Sequence, residues 1–189
     1  LDLKERAWHA TTSNSRSIGI EIANMGAYGN AEKSPFGEWY AKDADGKTRL
    51  TIPERFGDGG LLTKDFVGHP RVNEPVVGTV QGRQLTQYDY TPEQYRALMR
   101  LTAALCKIFP KMKCDYPRDA EGKLVMHKLP DDELQKYEGL LGHWHIQTNK
   151  VDPGPAFDWD FIVTKARRLM SDGGRGNAAM RRLFPESSR

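Results

Sequence analysis

Apolar and polar residues alternate along Ser17-Ile18-Gly19-Ile20-Glu21-Ile22, the period of two expected of a strand with isoleucines on one face and Glu21 on the other. A second strand is predicted over 139–145, where Leu140 and Leu141 precede Gly142-His143-Trp144-His145. Helical spacing governs Pro92 to about Ile108: Leu98, Leu101, Leu105 and Ile108 form one stripe, and Pro110 ends it. Thr91 is a good N-cap there, Pro92 suits the first helical position, and Gln94 completes a capping box. A last helix is expected from about Asp158 to Met170, acidic at its start, with Lys165, Arg167 and Arg168 near its end and Gly173 beyond. Strands interleaved with helices make an α/β domain.

From Ala23 to about Tyr90 the text changes to Gly, Pro, Asp and aromatics, with turns at Asp43-Ala44-Asp45-Gly46 and Gln81-Gly82-Arg83. It reads as an insertion at about 25–90 in one domain over 1–172, followed by a basic tail over 173–189 holding Arg175, Arg181, Arg182 and Arg189. The Asp-x-Asp-Gly is a turn, because the later ligand positions of a calcium loop do not follow. Tyr28, Phe36, Trp39, Tyr40 and Phe66 either wall a substrate cleft or staple the insertion to the body.

The 189 residues suffice for one buried core, and no apolar run is long enough for a membrane-spanning helix. The start, LDLKERAWHA, lacks the apolar core of a signal peptide. A net charge of +3 does not argue for nucleic acid. Two cysteines exclude a disulfide-stapled scaffold. The separation of Cys106 and Cys114 permits a local disulfide and leaves it open.

Candidate chemistry gathers in two clusters: Ala7-Trp8-His9-Ala10 with Asn14 and Glu21, and His143-Trp144-His145 with Lys150 and Asp152-Pro153-Gly154-Pro155. An imidazole and a carboxylate are ordinary zinc ligands, and zinc needs a third protein donor to keep one position open. A lysine two residues before the aspartate is placed to face a developing oxyanion. Singly, each residue is as well explained as a core, turn or surface position.

Together, A-W-H-A…N-x-x-S-I-G-I-E and G-H-x-x-I…K-x-D-P-G-P-A-F-D-W resemble the zinc-dependent N-acetylmuramoyl-L-alanine amidases. That superfamily includes the peptidoglycan recognition proteins, and the likeness is to its anhydro-muropeptide amidase branch. It covers about a third of the chain. The resemblance implies a central mixed β-sheet flanked by helices, and hydrolysis of the amide between N-acetylmuramic acid and L-alanine in peptidoglycan or muropeptides. It further implies zinc held by His143 and Asp152, Glu21 as general base, and Lys150 against the oxyanion. Trp8, His9 and Asn14 match positions that shape the substrate groove or hold the strand beside it.

In the family the first zinc ligand is a histidine on a strand before the A-W-H-A motif, which here begins at Ala7. The third ligand is therefore expected upstream of Leu1 or on an associated N-terminal chain of the same precursor, with His145 as the fallback within the chain. The same reasoning predicts that the chain is not a self-sufficient monomer, since two apolar strands would otherwise lack neighbours. A cleaved precursor points to a secreted or periplasmic enzyme, whereas the family branch includes cytoplasmic members. A non-catalytic peptidoglycan-binding module and a zinc peptidase using His143, His145 and Asp152 are the alternatives.

Overall fold

The computed structural model describes residues 5–172, and the predicted basic tail lies outside them. Within 25–90 a one-turn helix α1 (Phe36–Trp39) leads into strands β1 (Tyr40–Lys42), β2 (Thr48–Thr51) and β3 (Val67–Gly68), then β4 (Val76–Val80) and β5 (Arg83–Gln87). The first three form an antiparallel sheet in that order, with Tyr40 opposite Leu50 and Leu50 opposite Gly68. The last two form a separate hairpin running from Val76 opposite Gln87 to Val80 opposite Arg83. Both predicted turns are present. The Asp43 carboxylate accepts from the amides of Asp45 and Lys47 at 3.0 and 2.8 Å, and Gln81-Gly82 turns with φ of 54° and 71°. Positive φ at both central residues matches the twist of the flanking strands.

The insertion's aromatics pack on one another within 25–90. Tyr28 and Tyr40 pack on Phe36, which with Tyr40 packs on Tyr88 at the end of the hairpin. Trp39 lies against Phe56, and Phe66 against Gly68.

Helix α2 (Pro92–Ile108) has the predicted bounds and both halves of the capping box. It is followed by a short α3 (Asp131–Lys136) and by α4 (Trp159–Ser171), whose first turn is capped by the Asp158 carboxylate through the Phe161 amide. Helices α2 and α4 pack on each other and make the core. The buried face of α2 is Tyr95, Met99, Thr102, Ala103, Leu105 and Cys106, whereas Leu101 and Ile108 of the predicted stripe are exposed. The stripe is thus rotated by part of a turn, because Ile162, Val163 and Ala166 of α4 meet the Met99 side. Met99 and Ile162 are fully buried, each contributing roughly 1.5–3 kcal/mol by leaving water.

The mixed α/β class is as expected, but the two predicted strands do not form. Among the described residues, no backbone-to-backbone hydrogen bond involves residues 17–22, and Ile18 and Ile20 are exposed. A strand exists only through a pairing partner, and none of the described residues supplies one. Over 139–145 the chain instead closes a 3-10 turn, His143–His145. Its start is tied by the Leu140 amide donating to the Asp115 carbonyl, with Gly139 packed against that same oxygen. The two small antiparallel sheets take the place of a central sheet in residues 5–172. No helix among the described residues is long and apolar enough to cross a membrane.

Candidate metal centre

The loop from Gly142 to Ala156 brings His143 and Asp152 together twice. The His143 amide donates to the Asp152 carbonyl at 3.0 Å, and Nδ1 of the ring lies 3.0 Å from Oδ2 of the carboxylate. The imidazole is 19% exposed and the carboxylate 61%, so the pair opens to solvent from the aspartate side. On the other edge of the ring, Nε2 lies 2.6 Å from Gln147 Oε1. A carbonyl oxygen only accepts, so Nε2 carries a proton, and Nδ1 either donates a second proton to the Asp152 carboxylate or turns its lone pair to a cation between the two.

The 3.0 Å approach of Nδ1 to the carboxylate is thus bridged by a proton or by a cation. Two donors at about 2.0–2.1 Å from a tetrahedral zinc ion lie roughly 3.3 Å apart, and the observed 3.0 Å is close to that separation. Gln147 has the place of the outer acceptor that fixes the tautomer of a metal-ligating histidine. The residues present therefore fit two positions of a zinc site. Among the described residues no third His, Cys, Asp or Glu joins them.

The sequence profile of N-acetylmuramoyl-L-alanine amidase matches residues 1–155. The chain belongs to that amidase family. No curated protein sequence and no solved structure matches the chain.

In this chain His145 is not available as the fallback ligand. It is fully buried; Nδ1 accepts from the Gly142 amide at 2.8 Å, and Nε2 donates to the Val125 carbonyl at 2.7 Å. In place of the strand predicted over 139–145, the two histidines lie on a 3-10 turn, which sends the His143 ring outward and the His145 ring into the core beside Trp144 and Trp159. Burial pushes the His145 pKa down to about 4, so the ring is neutral near pH 7. Trp144 Nε1 donates to the same Val125 carbonyl at 3.0 Å.

Glu21 and Lys150 form no hydrogen bond or ion pair with His143 or Asp152 among the described residues. Lys150 is half-buried, with its amide donating to the Gln147 carbonyl at 3.3 Å. Glu21 is exposed on the unpaired segment, three residues before Asn24. There the chain is fastened: the Gln94 side chain donates to the Ala23 carbonyl and Asn24 Nδ2 to the Tyr88 carbonyl at 3.1 Å.

Asn14 is buried and accepts on Oδ1 from the amides of His9 and Ala10 at 2.9 and 2.6 Å. His9 contacts the Ala7 carbonyl and the Ser17 hydroxyl through its two ring nitrogens, and its ring lies against Gly19. These two residues hold the segment that leads to Glu21. Trp8 is 79% exposed, with the Arg6 guanidinium stacked 4.2 Å above its ring. Arg16 anchors the same segment to the C-terminal end of α3 through the carbonyls of Gln135 and Tyr137.

Cys106 and Cys114 are free thiols, both buried, with Cys114 Sγ 3.8 Å from the Val163 carbonyl. Gln147 was not singled out in the sequence. Its one signal was spacing: four residues after His143, with the helical turn between them unforeseen.

Proposed function

We propose that this chain is a zinc-dependent hydrolase of the amide joining the lactyl group of N-acetylmuramic acid to L-alanine, acting on peptidoglycan or its soluble muropeptides. The observation that carries the reading is His143 held between Gln147 Oε1 and Asp152 Oδ2, with Nδ1 and the carboxylate converging on one point. His143 and Asp152 hold the metal, and a histidine from outside the described residues completes the set. That histidine sits on a strand paired with Ser17–Ile22, either earlier in the same polypeptide or on an associated chain. The free backbone groups of that segment, and its exposed Ile18 and Ile20, support such a neighbour.

Zinc, when bound, supplies Lewis acidity toward the amide carbonyl and the attacking water. Glu21 accepts the proton of that water and delivers it to the departing L-alanine nitrogen. Lys150 places positive charge beside the carbonyl oxygen, which gains electron density as the new C–O bond forms and returns it as the C–N bond breaks. Gln147 holds the proton on Nε2 and so keeps the other ring nitrogen free.

The test is mass spectrometry of products from purified muropeptides, with zinc measured on the same protein. The expected result is whole stem peptides with a free L-alanine amine, and one zinc per chain. Single amino acids as products would favour a peptidase instead. Substrate binding without cleavage or stoichiometric zinc would favour a recognition module.

A further inference from the structure

We propose that hairpin β4–β5 is the positioning device of the His143–Asp152 pair, acting through Gln81 at its turn and Gln87 at its end as positioning residues. The inference rests on reading that pair as a metal site. Gln81 Nε2 donates to the carbonyls of Trp144 and Gln147, both at 2.9 Å, so one amide group gathers two carbonyls of the turn that begins at His143. Its Oε1 accepts from the Lys128 amide at 3.3 Å, and its backbone amide donates to Met126 at 2.9 Å.

The identity of residue 81 is itself informative. A two-residue turn with positive φ at both positions favours Asn, Asp or Gly first, and glutamine sits there at φ 54°. Asparagine would suit the backbone better, but it is one methylene too short to reach both carbonyls. The turn gives up its preferred residue and gains the reach.

Gln87 acts on the other arm. It is 1% exposed; Nε2 donates to the Pro153 carbonyl at 2.9 Å and to Asn24 Oδ1 at 3.2 Å, while Oε1 accepts from the Ala156 amide at 3.0 Å. Every hydrogen-bonding atom of the side chain is engaged. Gly154, at φ +91°, lies so close that an added Cβ would sit 2.2 Å from Gln87 Oε1. Midway along the hairpin, Gly78 packs against Pro155 in the same manner.

The hairpin of β4 and β5 therefore meets the ligand loop at Trp144 and Gln147 and again over Pro153–Ala156. It grips the segment after His143 at one end and the segment after Asp152 at the other. Through Asn24 it also grips the segment that follows Glu21.

Cobalt(II), a spectroscopic stand-in for zinc, provides the test in the intact protein. His143→Ala serves as the control for the site. Gln81→Asn is expected to bind cobalt about 10–100-fold more weakly than wild type, as for loss of an outer support. Its visible bands should be weaker and its metal-free unfolding temperature unchanged or higher. Gln87→Met is expected to weaken cobalt binding as well, and if it does not fold, Gln81→Asn alone decides. Wild-type cobalt affinity and spectrum in Gln81→Asn would overturn the proposal, as would a drop in affinity matched by general unfolding. If His143→Ala titrates like wild type, the metal-site reading itself fails and takes the proposal with it.

Discussion

Two segments carry the residues proposed for catalysis, and they are held in opposite ways. The Gly142–Ala156 loop is bound along its length: His143 by Asp152 and Gln147, Trp144 and Gln147 by Gln81, Pro153 by Gln87 and Tyr90, Ala156 by Gln87. Among the described residues, the hydrogen bonds that fasten Ser17–Ile22 lie at its ends, from His9 and Ser13 before it and from Gln94 and Asn24 after it, with the His9 ring packed on Gly19 between them. The first is built by this chain's own hairpin. The second has the alternating hydropathy of a strand with one buried face, while its backbone groups find no backbone partner among residues 5–172. A metal-ligand pair can be fixed by one neighbouring hairpin, because side-chain amides reach individual carbonyls. A strand needs a whole row of backbone partners.

Changing the chemical group on each segment gives the largest separation between them. Glu21→Gln is expected to lower amidase turnover by about 10²–10⁴-fold, the usual worth of a general base. Zinc content should stay at the wild-type level, because Glu21 holds no metal in this reading. Turnover and metal analysis on one preparation check both halves, and full turnover would remove Glu21 from the mechanism.

Acid should act on the bound loop through His145. Its folded-state pKa is lowered to about 4 by burial, so the stability it contributes is present above the unfolded value near 6.5 and is lost as pH falls through about 4. The loss over that window is roughly 3 kcal/mol. Urea unfolding at pH 7 and pH 4 reads it, and His145→Gln should flatten the difference while lowering stability at pH 7.

A smaller effect is expected at Gln147. Gln147→Leu removes the acceptor at Nε2 without touching a ligand and should weaken zinc binding about 10–100-fold. Competition with a chelator measures it, and an unchanged affinity would show that the ring needs no outer support.

The smallest effect sharpens the comparison most. Ile18→Thr lies on a side chain 40% exposed in residues 5–172, where a surface change costs within about 0.5 kcal/mol. In a protein where a further strand covers this segment, the same change should cost more. Denaturant titration distinguishes the two, and a near-zero cost in the intact protein would count against the proposed neighbour.

Much of the local structure was legible because its causes are local. Thr91, Pro92 and Gln94 set the start of α2, Asp158 that of α4, and Asp43 and Gly46 the β1–β2 turn. Each acts on backbone groups within four residues. The family resemblance put His143 and Asp152 at one site, and their side chains do meet. The buried face of α2 was not, since Leu98-Leu101-Ile108 and Tyr95-Met99-Cys106 are both apolar rows and only the position of α4 chooses between them.

The sequence by itself determined the two long helices, the turns at 43–46 and 81–83, and which residue types could serve an amidase. Only the tertiary structure decided which of two histidines faces outward, since that depended on the Val125 carbonyl twenty residues away from His145. It also decided that Gln81, Gln87 and Gln147 matter to the site, residues whose side chains carry no signature in a linear text. Capping and turn formation are settled between near neighbours, whereas a burial face or a hydrogen-bond partner is settled by whatever packing brings alongside.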